Sequence, residues 1–201
     1  MPAKMLSRGE RMQQGKAQRQ LTPREAHAHF NLPLKRDPVA IVGERDPARV
    51  PQLVPERYKR MLASPFAFLR GAASIMTADL ASHPVAGIPV HASGDSHLMN
   101  FGAFASADDR ILFEINDFDE ALPGVDFTLD LKRLAASAAV AALDIDASHK
   151  RARSIAEMAV TAYRRHMFAL AERSPLEVWQ SRIDLEKELR AMENNTNGQS
   201  I

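Results

Sequence analysis

Three polar side chains stand close together in the segment GDSHLMNFG at residues 94–102: an acid at Asp95, an imidazole at His97 and an amide at Asn100. A second acidic group follows in INDFDEALPG at residues 115–124, which carries Asp117 and Asp119. Carboxylate and amide oxygens are hard ligands. Magnesium prefers them, takes one or two carboxylates from a protein, and fills its other positions with water and substrate phosphates. Phosphoryl transfer needs that arrangement plus one carboxylate that orients the attacking hydroxyl. On this chemistry Asp95 positions or deprotonates the nucleophile, Asn100 and Asp117 hold the metal, and Asp119 supports them or holds a second ion.

The neighbouring residues support other roles. His91 and His97 are expected to hydrogen-bond backbone near the loop rather than to ligate metal, while Asp130, two places after Thr128, complements the dipole of a helix start. A mixed set of His91, Asp95, His97 and Asp117 would instead suit zinc, manganese or iron in a metal-dependent hydrolase. Any one of these residues could simply cap a turn, but turns do not require the acid, histidine and amide of GDSHLMN to be followed by a second acidic strand end.

The elements around these residues must bring them together. GIPVHAS at 87–93 and RILFEIND at 110–117 read as paired strands, so Asp95 and Asp117 close adjacent strand ends; FGAFASADD between them holds a third short strand and a turn. The remainder reads as helix: ERYKRMLAS at 56–64, then a helix from the Ser64-Pro65 cap to about Ser82. Thr128 caps a helix through LDLKRLAASAAVAAL, and Ser148 caps another with Ile155, Met158, Ala159, Ala162, Tyr163 and Met167 on one stripe. Ser174-Pro175 opens a last helix through Met192, whose apolar face includes Leu176, Trp179 and Leu189. Residues 31–55 are proline-rich without periodicity and read as extended loop. The fold class is α+β, mostly helical with a small hairpin or sheet.

Composition narrows the chemistry. The 201 residues suffice for one domain with a core, and the absence of cysteine removes disulfides, thiolate nucleophiles and Cys-based metal sites. No apolar stretch approaches the roughly 18 residues of a membrane span, and the start lacks a secretory signal, so a cytoplasmic protein without a membrane partner is expected. A net charge of +1 gives no global case for nucleic acid. Residues 1–30 read as a flexible basic arm and 194–201 as a disordered tail. Eight acids between Asp108 and Asp130 against one arginine form a candidate cation site.

GDSHLMN, then INDFDEALPG, then DL resembles the small-molecule kinases of the aminoglycoside phosphotransferase and choline kinase type, whose pattern is GDxHxxN, IDFxxA and DLA. The chain is similar still more closely to a bacterial family, domain of unknown function 2252, a remote relative of the protein kinase-like fold. LVPERYKRMLASPFAFLRGAASIMTADLA, GDSHLMNFGAFAS, FEINDFDEALPGVDFTLDLKRLAASAAVAA and AYRRHM carry that resemblance over roughly residues 30 to 185.

The resemblance implies a catalytic-loop role for Asp95, metal binding by Asn100 and Asp117, and a structural role for Asp130. Asn116, just before the metal Asp, departs from the pattern. It also implies magnesium and ATP as cofactors, a nucleotide and an unnamed phosphate acceptor as partners, and a resemblance to the C-terminal-lobe half of the kinase-like fold across 31–193. A kinase site further needs a glycine-rich loop and a strand lysine paired with a glutamate, and neither is legible in this sequence. The resemblance implies a longer family member that carries those parts downstream of the acidic motifs. The chain is therefore expected to be a truncated or split member that needs a downstream segment to supply the nucleotide clamp. The alternative is a non-catalytic remnant that serves as an interaction protein.

Overall fold

The computed structural model describes residues 6–30, 32 and 35–197, with side chains to residue 192. Among these the chain is mostly helical with two small antiparallel sheets, an α+β architecture. No helix among the described residues is long and apolar enough to cross a membrane.

The N-terminal segment read as an arm carries a helix, α1 (Arg8–Leu21). Ser7 and Glu10 form a reciprocal capping box there, which meets two of the backbone donors a helix start leaves open. None of its residues is buried; Arg8 pairs with Glu172.

Residues 38–53, expected as extended loop, instead fold into three short helical pieces: α2 (Pro38–Gly43) and single turns at Asp46–Ala48 and Pro51–Leu53. Each starts with a proline near its first position, where the fixed φ suits the turn and the missing N–H costs nothing. Asp37 caps α2 by accepting from the amides of Val39 and Ala40 at 3.0 Å. The expected loop positions 31, 33 and 34 lie outside the described residues.

After α3 (Val54–Met61), the single helix expected from Ser64 to Ser82 divides into α4 (Pro65–Gly71) and α5 (Ala73–Leu80). The Ser64 cap forms, its hydroxyl accepting from the Ala67 amide at 3.1 Å. The break at Ala72 has a cause distant in sequence. Arg133 donates to the Leu69 carbonyl at 2.5 Å and Arg57 to the Gly71 carbonyl at 2.6 Å, so two carbonyls at the end of α4 are met by guanidinium groups. Met61 also presses on the break, because a Cβ on Gly71 would lie 2.5 Å from Met61 Cγ. Val42, Met61, Ala72 and Ile75 form the small apolar core of this half.

The strand pairing differs from the expected one. Strand β1 (Pro89–Ala92) pairs with β4 (Leu122–Asp126), while β2 (Phe101–Ala105) and β3 (Ile111–Ile115) form a separate hairpin. Asp95 and Asp117 therefore do not close paired strands; they follow strands of two different sheets.

Helices α6 (Thr128–Asp144) and α7 (His149–Ala171) pack together through small residues, with Ala138, Ala142 and Ala152 buried. Thr128 is the first residue of α6 rather than its cap; Phe127 holds the cap position without a side-chain cap, and the Asp126 carboxylate accepts from the Thr128 amide at 3.1 Å and from the Thr128 hydroxyl at 2.5 Å. The stripe expected to bury along α7 is partly open, with Met158 65% and Met167 45% exposed.

The last expected helix also divides, into α8 (Pro175–Trp179) and α9 (Leu185–Asn197). The Ile183 carbonyl accepts from the Phe113 amide at 2.9 Å, so the edge of β3 draws the linker into extended backbone. Trp179, Leu176 and Leu189 are exposed, contrary to the expected apolar face. Of the expected tail, residues 194–197 continue α9 and 198–201 lie outside the described residues.

Candidate functional site

The segment GDSHLMN lies along α6 and is held there by three side chains of that helix. Asp130 accepts from the amides of Ser93 at 2.8 Å and Gly94 at 3.1 Å. Arg133 donates through Nε to Asp95 Oδ1 at 2.8 Å, and its Nη2 lies at the same distance from that oxygen. Ser137, fully buried, accepts from the Leu98 amide at 3.1 Å and donates to the Leu134 carbonyl at 2.8 Å. Spacings of three and four residues put Asp130, Arg133 and Ser137 on one face of a helix, and the loop follows that face in order.

The second acidic segment is brought up by two close backbone approaches. Gly94 has φ +80°, and a Cβ there would lie 2.0 Å from the Glu120 carbonyl oxygen. At the other end of the motif, a Cβ on Gly102 would lie 2.0 Å from Asn116 Nδ2. The glycines that bound GDSHLMNFG thus let residues 116–120 lie against it.

Asn100 joins the two segments. Its Nδ2 donates to the Asp95 carbonyl at 2.9 Å and to the Asp117 carbonyl at 3.3 Å, and its own carbonyl accepts from the Asn116 amide at 2.9 Å. The side chain is buried. With the amide nitrogen committed to two carbonyls, Oδ1 is the remaining ligand atom. Asp117 is exposed and accepts at Oδ1 from the Asp119 amide at 3.0 Å. Asp119 is exposed as well.

The structure brings together Asp95, Asn100, Asp117, Asp119 and the scaffold residue Asp130, and leaves His91 apart on the exposed side of β1 opposite Pro123. His97 is buried with Nε2 3.6 Å from Asp95 Oδ2, while its Nδ1 has no hydrogen-bond partner. Burial pushes the His97 imidazole below the ordinary histidine value; Arg133 and Arg70 push the same way and Asp95 opposes them.

The acids between Asp108 and Asp130 do not form a single cation site. Asp108 pairs with Arg110 and Arg182, Glu120 with Arg45, Asp126 accepts from the Thr128 amide, and Asp130 holds the loop. Among the described residues no three histidine, aspartate or glutamate side chains converge as a metal cluster, so the four-ligand hydrolase set is not assembled. Magnesium makes a smaller demand, since it completes its shell with water and phosphates, and the Asn100 amide oxygen and the exposed Asp117 carboxylate are donors of the chemical type it takes.

Sequence reasoning missed Arg133, Ser137 and the spacing role of the glycines. Arg133 is 3% exposed, although nothing in LDLKRLAAS marks one basic residue of the Lys-Arg pair as interior. The signal that could have found it is its position three residues after Asp130, on the same helix face.

A family model for uncharacterized proteins conserved in bacteria (DUF2252) matches residues 49–201, and the chain belongs to that family. No curated protein and no solved structure matches the chain.

Proposed function

We propose that the loop at 94–100 and Asp117 form the magnesium-binding and acceptor-orienting part of a kinase-like phosphotransferase that uses ATP, with a phosphate acceptor still to be named. The observation that carries this reading is the Asn100 bridge, which ties the backbone of Asp95 to that of Asp117 and frees one amide oxygen. Magnesium bound by Asn100 and Asp117 would hold nucleotide phosphates and offset their charge. Asp95 then orients the acceptor hydroxyl through Oδ2, since Oδ1 is occupied by Arg133. A loose phosphoryl-transfer transition state asks for positioning more than for a strong base, and a carboxylate fixed by a buried guanidinium suits that task.

The test is ATP affinity with magnesium and with chelator, in the native chain and in Asp117→Ala. Magnesium should tighten binding in the native chain and not in the variant; equal affinity in both would remove the metal role.

A second reading has its own observation. None of the four strands among the described residues contains a lysine to orient phosphates. On that reading the fold persists as an interaction protein without catalysis. A chain that binds magnesium-ATP but transfers no phosphoryl group, even with a downstream segment supplied in trans, would favour it.

A further inference from the structure

Between α3, α4, α5 and α6, with Arg133 in its wall, lies a groove of about 640 Å³ that the phosphotransferase reading does not use. Its walls are apolar, with Leu62, Phe68, Leu69, Ile75 and Val140 among them, and Leu62 and Phe68 stay open to solvent at 81% and 41%. Grooves of this size with apolar walls and a few converging polar groups are the usual form of small-molecule sites.

Two charged residues reach the wall, and both are compensated. Asp79 is held by Arg36 through two hydrogen bonds at 2.6 and 2.7 Å, and Arg133 is held by Asp95. The groove therefore offers no net charge to a ligand. It does offer a donor. Arg133 spends Nε and Nη2 on Asp95 and the Leu69 carbonyl, but Nη1 meets only the Met76 thioether at 3.9 Å, a weak acceptor for a guanidinium that is 3% exposed.

We propose that this groove binds a neutral, largely apolar small molecule bearing one hydrogen-bond acceptor, such as a ketone, ester or amide, with that acceptor on Arg133 Nη1. An anion is disfavoured, because it would compete with Asp95 for a guanidinium already paired. A hydrocarbon without an acceptor leaves the donor as poorly satisfied as it is without ligand. The site stands apart from the phosphotransferase reading, since magnesium-ATP binding and groove binding can each fail alone.

The experiment titrates the full chain, labelled at its methionine methyls, with benzylacetone, butylbenzene and phenylbutyrate in turn. Met61 and Met76 line the groove, whereas Met158 and Met167 lie on α7 and report non-specific contact. Benzylacetone should shift the Met61 and Met76 signals saturably, with the other two compounds binding about tenfold more weakly. Ala63→Trp, which fills the exposed lip of the groove, should abolish the shift; should that variant fail to fold, Leu62→Asp on the exposed wall replaces it. No saturable shift, an affinity for either control compound equal to that for benzylacetone, or unchanged binding in the lip variant would overturn the proposal.

Discussion

Arg133 Nε donates to Asp95 Oδ1 at 2.8 Å from a guanidinium that is 3% exposed, so the acid at the centre of the candidate site is fixed from beneath by the helix that follows it in sequence. The same guanidinium meets the Leu69 carbonyl at the end of α4. One residue thus ties the loop, the broken helix and α6 together.

Arg133→Met should therefore cost far more than an average substitution. It removes the partner of Asp95 and leaves the Leu69 carbonyl without its guanidinium donor. Breaking a buried pair by deleting one member costs about 3–5 kcal/mol, and urea unfolding should show a loss of that order. A loss below about 1 kcal/mol would mean that the pair does not organise the loop.

The two glycines of GDSHLMNFG should respond unequally to alanine. At Gly94 a Cβ meets the backbone oxygen of Glu120 and the residue must hold φ +80°, so Gly94→Ala should destabilise by about 2 kcal/mol or more. At Gly102 the obstacle is the end of the Asn116 side chain, which can rotate away, so Gly102→Ala should cost less. Thermal unfolding of the two variants gives the order directly.

Acid should weaken the fold through His97. Burial, the largest cause, lowers its pKa in the folded chain below the ordinary value of about 6.5. Between those two values the unfolded chain binds the extra proton, so stability is full above the unfolded value and falls as pH drops through the window beneath it. The His27 imidazole is lowered too, by burial and then by Lys132, and adds to the same slope. The native chain should lose melting temperature from about pH 7 to pH 5.5, and His97→Gln should lose less over that interval. A variant with an unchanged slope would show that His97 is not the group responsible.

The sequence made visible what depends on local chemistry. Ser64-Pro65, Ser148 and Ser174-Pro175 all cap helices where expected, because a cap is settled within four residues. The β2 and β3 strands were legible for the same reason. What escaped depends on distant partners. The break at Ala72 needs Arg57 and Arg133, the break before α9 needs the edge of β3, and β4 hides in LPGVD, whose proline and glycine argue against a strand until β1 supplies its partner.

The candidate site followed the same division. Residue types in GDSHLMN and INDFDEA pointed to oxygen ligands, and the structure places Asp95, Asn100 and Asp117 within one hydrogen-bonded arrangement. The route was not the expected strand pair. It runs through the polar face of α6 and the two glycines, neither of which has a local signature.

Metal binding at Asp117 is tested most directly by manganese bound as a spectroscopic stand-in for magnesium, followed by electron paramagnetic resonance in the presence of ATP. The native chain should bind one saturable ion in the ternary complex, lost in Asp117→Asn and retained in His91→Asn, whose exposed side chain lies on β1 opposite Pro123. Equal manganese binding by the native chain and Asp117→Asn would contradict it.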